Sequence, residues 1–110
     1  MIRNKILERL QAGEQALGVY MIDPSDLLVE MAGRMGLDFV QFDGQHWPLT
    51  PERVGTLCMI ADGFDITPVM RIPDGCESTI LSFLDKGIRM IVVPNLKTKE
   101  EAEALVQYTY

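Results

Sequence analysis

Much of what this sequence does is bounded by what it has little of. It carries one histidine, one tryptophan and two cysteines in 110 residues. Cys58 and Cys76 form no CxxC and have no histidine beside them, which argues against a metal or redox site built on thiols. A reduced, cytoplasmic protein is the simplest reading. No apolar run approaches the roughly 18 residues of a membrane span, and Met1-Ile2-Arg3-Asn4-Lys5 leads into no signal-peptide core. Basic residues are also scarce: ten Lys and Arg stand against sixteen Asp and Glu, for a formal charge of −6 and a pI near 4.6. That balance argues against a nucleic-acid partner, which needs a basic face. A small anionic substrate stays open, because one arginine or one metal ion reverses the local field.

What is present reads as one globular domain over residues 1–110. Hydrophobic residues make up 47% and mean hydropathy is +0.08, too apolar for a disordered chain. Two periodicities alternate. Ala16 to Ile22 is a short apolar run expected as a buried strand. Asp23-Pro24-Ser25-Asp26 follows, with Asp23 expected as N-cap and Pro24 at the first helical position. Leu27, Leu28, Met31, Ala32 and Met35 then recur at helical spacing, and Gly36 gives a stop.

The unit repeats. Leu37 to Asp43 reads as a strand, and Thr50-Pro51 caps a helix with Val54, Leu57, Cys58 and Ala61 on one face, ending near Gly63. Ile66 to Ile72 is a third strand, with Pro68 expected near its start. A helix over Asp74 to Lys86 places Ile80, Leu81 and Leu84 on one face. Ile88 to Pro94 is the most pronounced strand run. Thr98-x-x-Glu101 is a capping box for a last helix with Ala102, Leu105 and Val106 inward. Residues 3 to 12 suggest a short leading helix. Apolar strands each followed by a helix imply parallel pairing with helices outside. Periodicity fits either half of an eight-unit barrel or a small doubly wound sheet. No glycine-rich nucleotide turn supports the latter, Asp74-Gly75 being the only glycine just after the third strand.

In parallel α/β folds, reactive groups gather where strands end. The second strand ends in Asp43-Gly44-Gln45-His46-Trp47, so the sole histidine falls three residues past a carboxylate. The third ends in Met70-Arg71-Ile72-Pro73, presenting an arginine from an apolar run. Such an arginine must find an anion or stay wet. His46 is a candidate general base, with a surface or packing residue as the alternative. Asp43 is either functional or the cap of its own loop. Trp47 either covers the mouth or contributes to the site.

Phe42-Asp43-Gly44-Gln45-His46, Val69-Met70-Arg71-Ile72-Pro73, Phe83-Leu84-Asp85-Lys86-Gly87 and Ile91-Val92-Val93-Pro94, in this order and spacing, resemble the 4-hydroxy-2-oxoheptane-1,7-dioate aldolase and 2-dehydro-3-deoxyglucarate aldolase family. These are class II, metal-dependent pyruvate aldolases, and the resemblance runs from about Asn4 to the last residue. It implies the first four βα units of a (β/α)8 TIM barrel with a short leading helix. It also implies a carbon–carbon lyase, reversibly cleaving a 4-hydroxy-2-oxo acid to pyruvate and an aldehyde through a metal-stabilised enolate. By the same resemblance, His46 is the base and Arg71 contacts pyruvate. Asp43 orients metal-bound water and the base, and Asp85 raises the basicity of the histidine. Gly44 and Pro94 join Arg71 in binding substrate. Since Asp85 ends a helix and precedes the fourth strand, it is expected at the bottom of its own barrel, meeting a histidine only across a subunit contact.

The implied divalent ion (Mg, Mn or Co) is expected to take its family ligands from beyond Tyr110, with none within the chain. Gln45 and Trp47 depart from the family's usual glutamate and small residue. Lysine Schiff-base chemistry is disfavoured because Lys86, Lys97 and Lys99 fall on helix or loop surfaces. A half barrel leaves two sheet edges open. The expectation is therefore either a truncated product or a half barrel that pairs with another half, as a homo-oligomer or with a second half barrel, and little or no activity from the chain by itself. The alternatives are a non-catalytic half-barrel interaction module and a small anion- or metabolite-binding α/β domain.

Overall fold

The computed structural model describes residues 3–45, 48–94 and 96–109. Within them the elements run α1 (Lys5–Gln11), β1 (Gly18–Met21), α2 (Asp26–Arg34), β2 (Phe39–Asp43), α3 (Pro51–Gly63), β3 (Thr67–Arg71), α4 (Glu77–Asp85), β4 (Met90–Val92) and α5 (Lys99–Thr109). The four strands form one all-parallel sheet in the order β1-β2-β3-β4. Each strand returns to the next through a helix, which is the βα repeat of a TIM barrel, and the doubly wound alternative falls with the sequential strand order.

The local chemistry explains the elements. Thr50 caps α3 by accepting from Arg53 N, Pro51 opens it, and Val54, Leu57, Cys58 and Ala61 are its buried face. Gly36 and Gly87 follow their helices with φ of +82° and +115°, a backbone region that a side chain disfavours. Val40, Phe42, Met70 and Ile72 meet the helices in a core completed by Val29, Leu57, Ile80 and Phe83. α1 lies at the N-terminal end of the sheet. Its Lys5 N donates to Thr67 Oγ1 at 2.8 Å, and Arg9 Nε donates to Asp38 Oδ1 at 3.1 Å.

Several local expectations are corrected. Ser25, not Asp23, is the N-cap of α2, accepting from Leu28 N, and Pro24 lies buried ahead of the helix. The core face of α2 is Val29 and Ala32, while Leu27 and Met35 are 63% and 74% exposed. A Cβ at Gly33 would collide with Phe64, the C-cap of α3, so the small face is the one that fits against α3. α4 starts at Glu77 because Asp74 spends its carboxylate on Cys76 N in a turn, and Phe83 replaces Leu81 on its buried face. β4, the strongest apolar run, forms only three residues of strand, because it is an edge with a neighbour on one side. On α5, Leu105 is inward as expected, whereas Val106 is exposed.

Candidate active site

β2 and β3 end together. Asp43 and Arg71 are register partners and each is the last residue of its strand. Tyr20 stands one strand over, on β1 and one residue before its end. Alternation puts the three on one face of the sheet, opposite the helix-packed Val40, Phe42 and Met70.

These side chains form a closed knot. Asp43 is fully buried. Its Oδ2 accepts from the Tyr20 hydroxyl and from Arg71 Nη2 at 3.2 Å, and its Oδ1 accepts from Gln45 N at 2.9 Å. Arg71 Nη2 also donates to Tyr20 Oη at 2.7 Å, and its Cζ lies 5.6 Å from the Tyr20 ring centroid. The loop-cap reading of Asp43 holds, since it ties its own loop, and the same carboxylate also pairs with the arginine. The Asp43 carboxylate raises the Arg71 pKa, which keeps the guanidinium charged. Hydrogen bonding to the same carboxylate raises the Tyr20 phenol, an effect that Arg71 partly opposes. Gly44 N donates to Arg71 O at 2.8 Å, so the turn leaving β2 is stitched to the end of β3.

A family model for HpcH/HpaI aldolase/citrate lyase matches residues 16–110. The chain belongs to this family. It is 28% identical over 109 residues to a 2-keto-3-deoxy-L-rhamnonate aldolase of Escherichia coli, covering 99% of this chain and 41% of that one. It is 30% identical over 104 residues to a hydroxypyruvate/pyruvate aldolase of Roseobacter denitrificans, covering 94% and 41%. Among solved structures, citrate synthase SbnG superposes with a TM-score of 0.88 at 30% identity, covering 94% of this chain and 42% of that one. A HpcH/HpaI aldolase/citrate lyase family protein from Burkholderia cenocepacia gives 0.85 at 26% identity, covering 97% and 43%. The chain thus spans about two fifths of the relatives it matches, and its four βα units are those of the HpcH/HpaI aldolase barrel.

Against that family background, the remaining site residues separate. His46, the expected base, lies outside the described residues. Asp85 is exposed and is the last residue of α4, a helix that runs back from the strand ends. It therefore sits at the other end of the sheet from Asp43 and Arg71. Pro94 follows β4 and lines a groove of about 310 Å³ with Gly75, Leu105 and Tyr108, among whose described lining Tyr20, Asp43 and Arg71 do not appear. Tyr20 is the participant that sequence reading missed. An aromatic in an apolar strand counts as core, and the only available signal was its polar tip, one residue before the strand's end.

The described residues do not fit a metal centre by themselves. They contain no group of three or more His, Cys, Asp or Glu placed to hold an ion, and Asp43 has both oxygens engaged. Cys58 is buried in the core, which pushes its thiol up to about 12. Of the lysines, Lys86, Lys97 and Lys99 are exposed, and Lys5 sits at the opposite end beside Asp38 and Asp65.

Proposed function

We propose that this chain supplies the pyruvate-holding half of a carbon–carbon lyase site, acting on a 4-hydroxy-2-oxo acid in the cytoplasm. The observation that carries the reading is Arg71, a permanently charged group fixed at a strand end by Asp43 and Tyr20 inside a lyase-family barrel. The planar guanidinium suits the carboxylate of a 2-oxo acid, and fixed positive charge there steadies the negative charge that develops on the keto oxygen. His46 takes the proton of the C4 hydroxyl. The C3–C4 bond then breaks, the aldehyde leaves, and its electron pair stays on the pyruvate fragment, which is protonated at C3. The family resemblance also implies a divalent ion. The described residues offer it no complete ligand set, so the roles assigned here rest on the chain's own groups. The names of the relatives, a deoxy-rhamnonate aldolase and a hydroxypyruvate/pyruvate aldolase, support a pyruvate-type substrate.

The test is calorimetry of pyruvate with the purified chain in excess Mg²⁺, wild type against Arg71→Ala. Loss of the guanidinium should weaken binding about tenfold or more, since bonds to charged groups contribute roughly 1.5–3 kcal/mol. Equal affinity for the two proteins would remove Arg71 from the site. For assembly, the same proposal takes the partner to be a second half barrel, joined at the open edges of β1 and β4.

A further inference from the structure

The expected chemistry uses Arg71, Asp43 and His46 and gives Tyr20 no part. Yet the Tyr20 hydroxyl stands between the two charged groups, donating to Asp43 Oδ2 and accepting from Arg71 Nη2 at 2.7 Å. The direct contact between Nη2 and Oδ2 is 3.2 Å, long beside the roughly 2.7–2.9 Å usual for a charge-assisted bond. The phenol is therefore a wedge that loosens the ion pair without breaking it, since the direct 3.2 Å contact remains. The consequence is electrostatic. A fully buried carboxylate in tight contact with a guanidinium cancels much of its field, and little is left for an incoming anion. Each donor that Asp43 accepts instead, Gln45 N on one oxygen and the Tyr20 hydroxyl on the other, draws charge away from the arginine. Tyr20 is itself 44% exposed, so its ring borders the open side where a ligand would arrive.

We propose that Tyr20 is a positioning residue for Arg71: its hydroxyl shares and loosens the Asp43–Arg71 pair, so that more of the guanidinium's charge is felt by the carboxylate of a 2-oxo acid. This rests on the reading of Arg71 as the anion-holding group. Tyr20→Phe removes the wedge and keeps the ring, and Asp43 then draws Arg71 into a closer pair.

Two measurements on the full chain decide it. The first is calorimetry with oxalate, a compact dianion resembling the pyruvate enolate. Tyr20→Phe should bind about tenfold more weakly than wild type. In an Asp43→Asn background the same change should matter less than about twofold, because the charge that needs wedging off is gone. Undiminished affinity in Tyr20→Phe overturns the proposal, as does an equal loss in both backgrounds. The second needs no ligand and stands even where Asp43→Asn does not fold. The absorbance titration of wild type minus Tyr20→Phe isolates this phenol, which should titrate above the ordinary tyrosine value of about 10 and higher still in Arg71→Ala. A phenol at the ordinary value takes the hydroxyl off Asp43 and ends the proposal. A raised phenol in a chain that binds no oxalate sinks the anion reading of Arg71 and leaves standing only the hydroxyl's bond to Asp43.

Discussion

At the scale of single residues, the site depends on one position where a side chain cannot go. Gly44 follows Asp43 and brings its backbone against the end of β3. A Cβ there would stand 2.8 Å from Arg71 O and collide with the end of Met70. The Met70 methyl can swing aside, but the carbonyl belongs to the strand and accepts the Gly44 N–H. Gly44→Ala should therefore pry the β2 turn from β3, cost about 2 kcal/mol in urea unfolding, and weaken pyruvate binding alongside. An alanine variant as stable as wild type would show that the turn tolerates a side chain. Arg71 and Asp43 were legible in the sequence because a charge in an apolar strand needs a partner, and the register made each the other's. The link through Tyr20 was not legible, since no spacing rule reveals that a phenol two strands from Arg71 reaches both groups.

At the scale of elements, the sequence was most readable where a cap and a buried face coincide, as in α3, and least where tertiary position overrides local preference. β4 has the apolar content of a central strand and is short because it lies at an edge. α2 offered two apolar faces, and the smaller side chains won by allowing close approach. α1 owes its place to a carboxylate that the strand pattern absorbed without notice. Asp38 precedes β2, is buried, and accepts from Leu17 N at 3.0 Å and from Arg9 Nε at 3.1 Å, so it ties α1 to the lead-in of β1. The Leu17 N–H, then Arg9, hold its carboxyl below the usual aspartate range. A depressed folded-state value means the stabilisation is complete above the unfolded value of about 3.9 and is lost as pH falls through the folded one. Asp38→Asn should cost about 2 kcal/mol at pH 7, with the gap to wild type narrowing below about pH 4. Amide exchange over Lys5–Gln11 should quicken in the variant. A gap that stays constant down to pH 2 would mean the charge of Asp38 contributes nothing.

At the scale of the whole molecule, two flanks remain open. Beside β1, Leu17, Ile22, Leu28 and Met31 are exposed, and beside β4, Val92, Leu96 and Val106 are exposed. The solved relatives superpose over this fold yet are more than twice as long, so in them further chain accompanies these four units. In the proposed pairing, a second half barrel turned about the barrel axis keeps all strands parallel and sets the β1 edge of one copy against the β4 edge of the other, twice over. That geometry is testable because its contacts join unlike surfaces. Met31→Glu on α2 and Val106→Glu on α5 replace side chains that are 48% and 57% exposed, so each should leave the folded chain within about 0.5 kcal/mol of wild type. Each should nonetheless shift sedimentation from dimer toward monomer, since a buried, unpartnered carboxylate is costly. Like-to-like pairing through one edge predicts something different: one of the two substitutions would have no effect. Mixing the two variants separates the models further, because unlike edges regain one sound contact per pair and part of the dimer returns. A wild-type chain that stays monomeric and folded at high concentration would leave both flanks without a second copy to cover them.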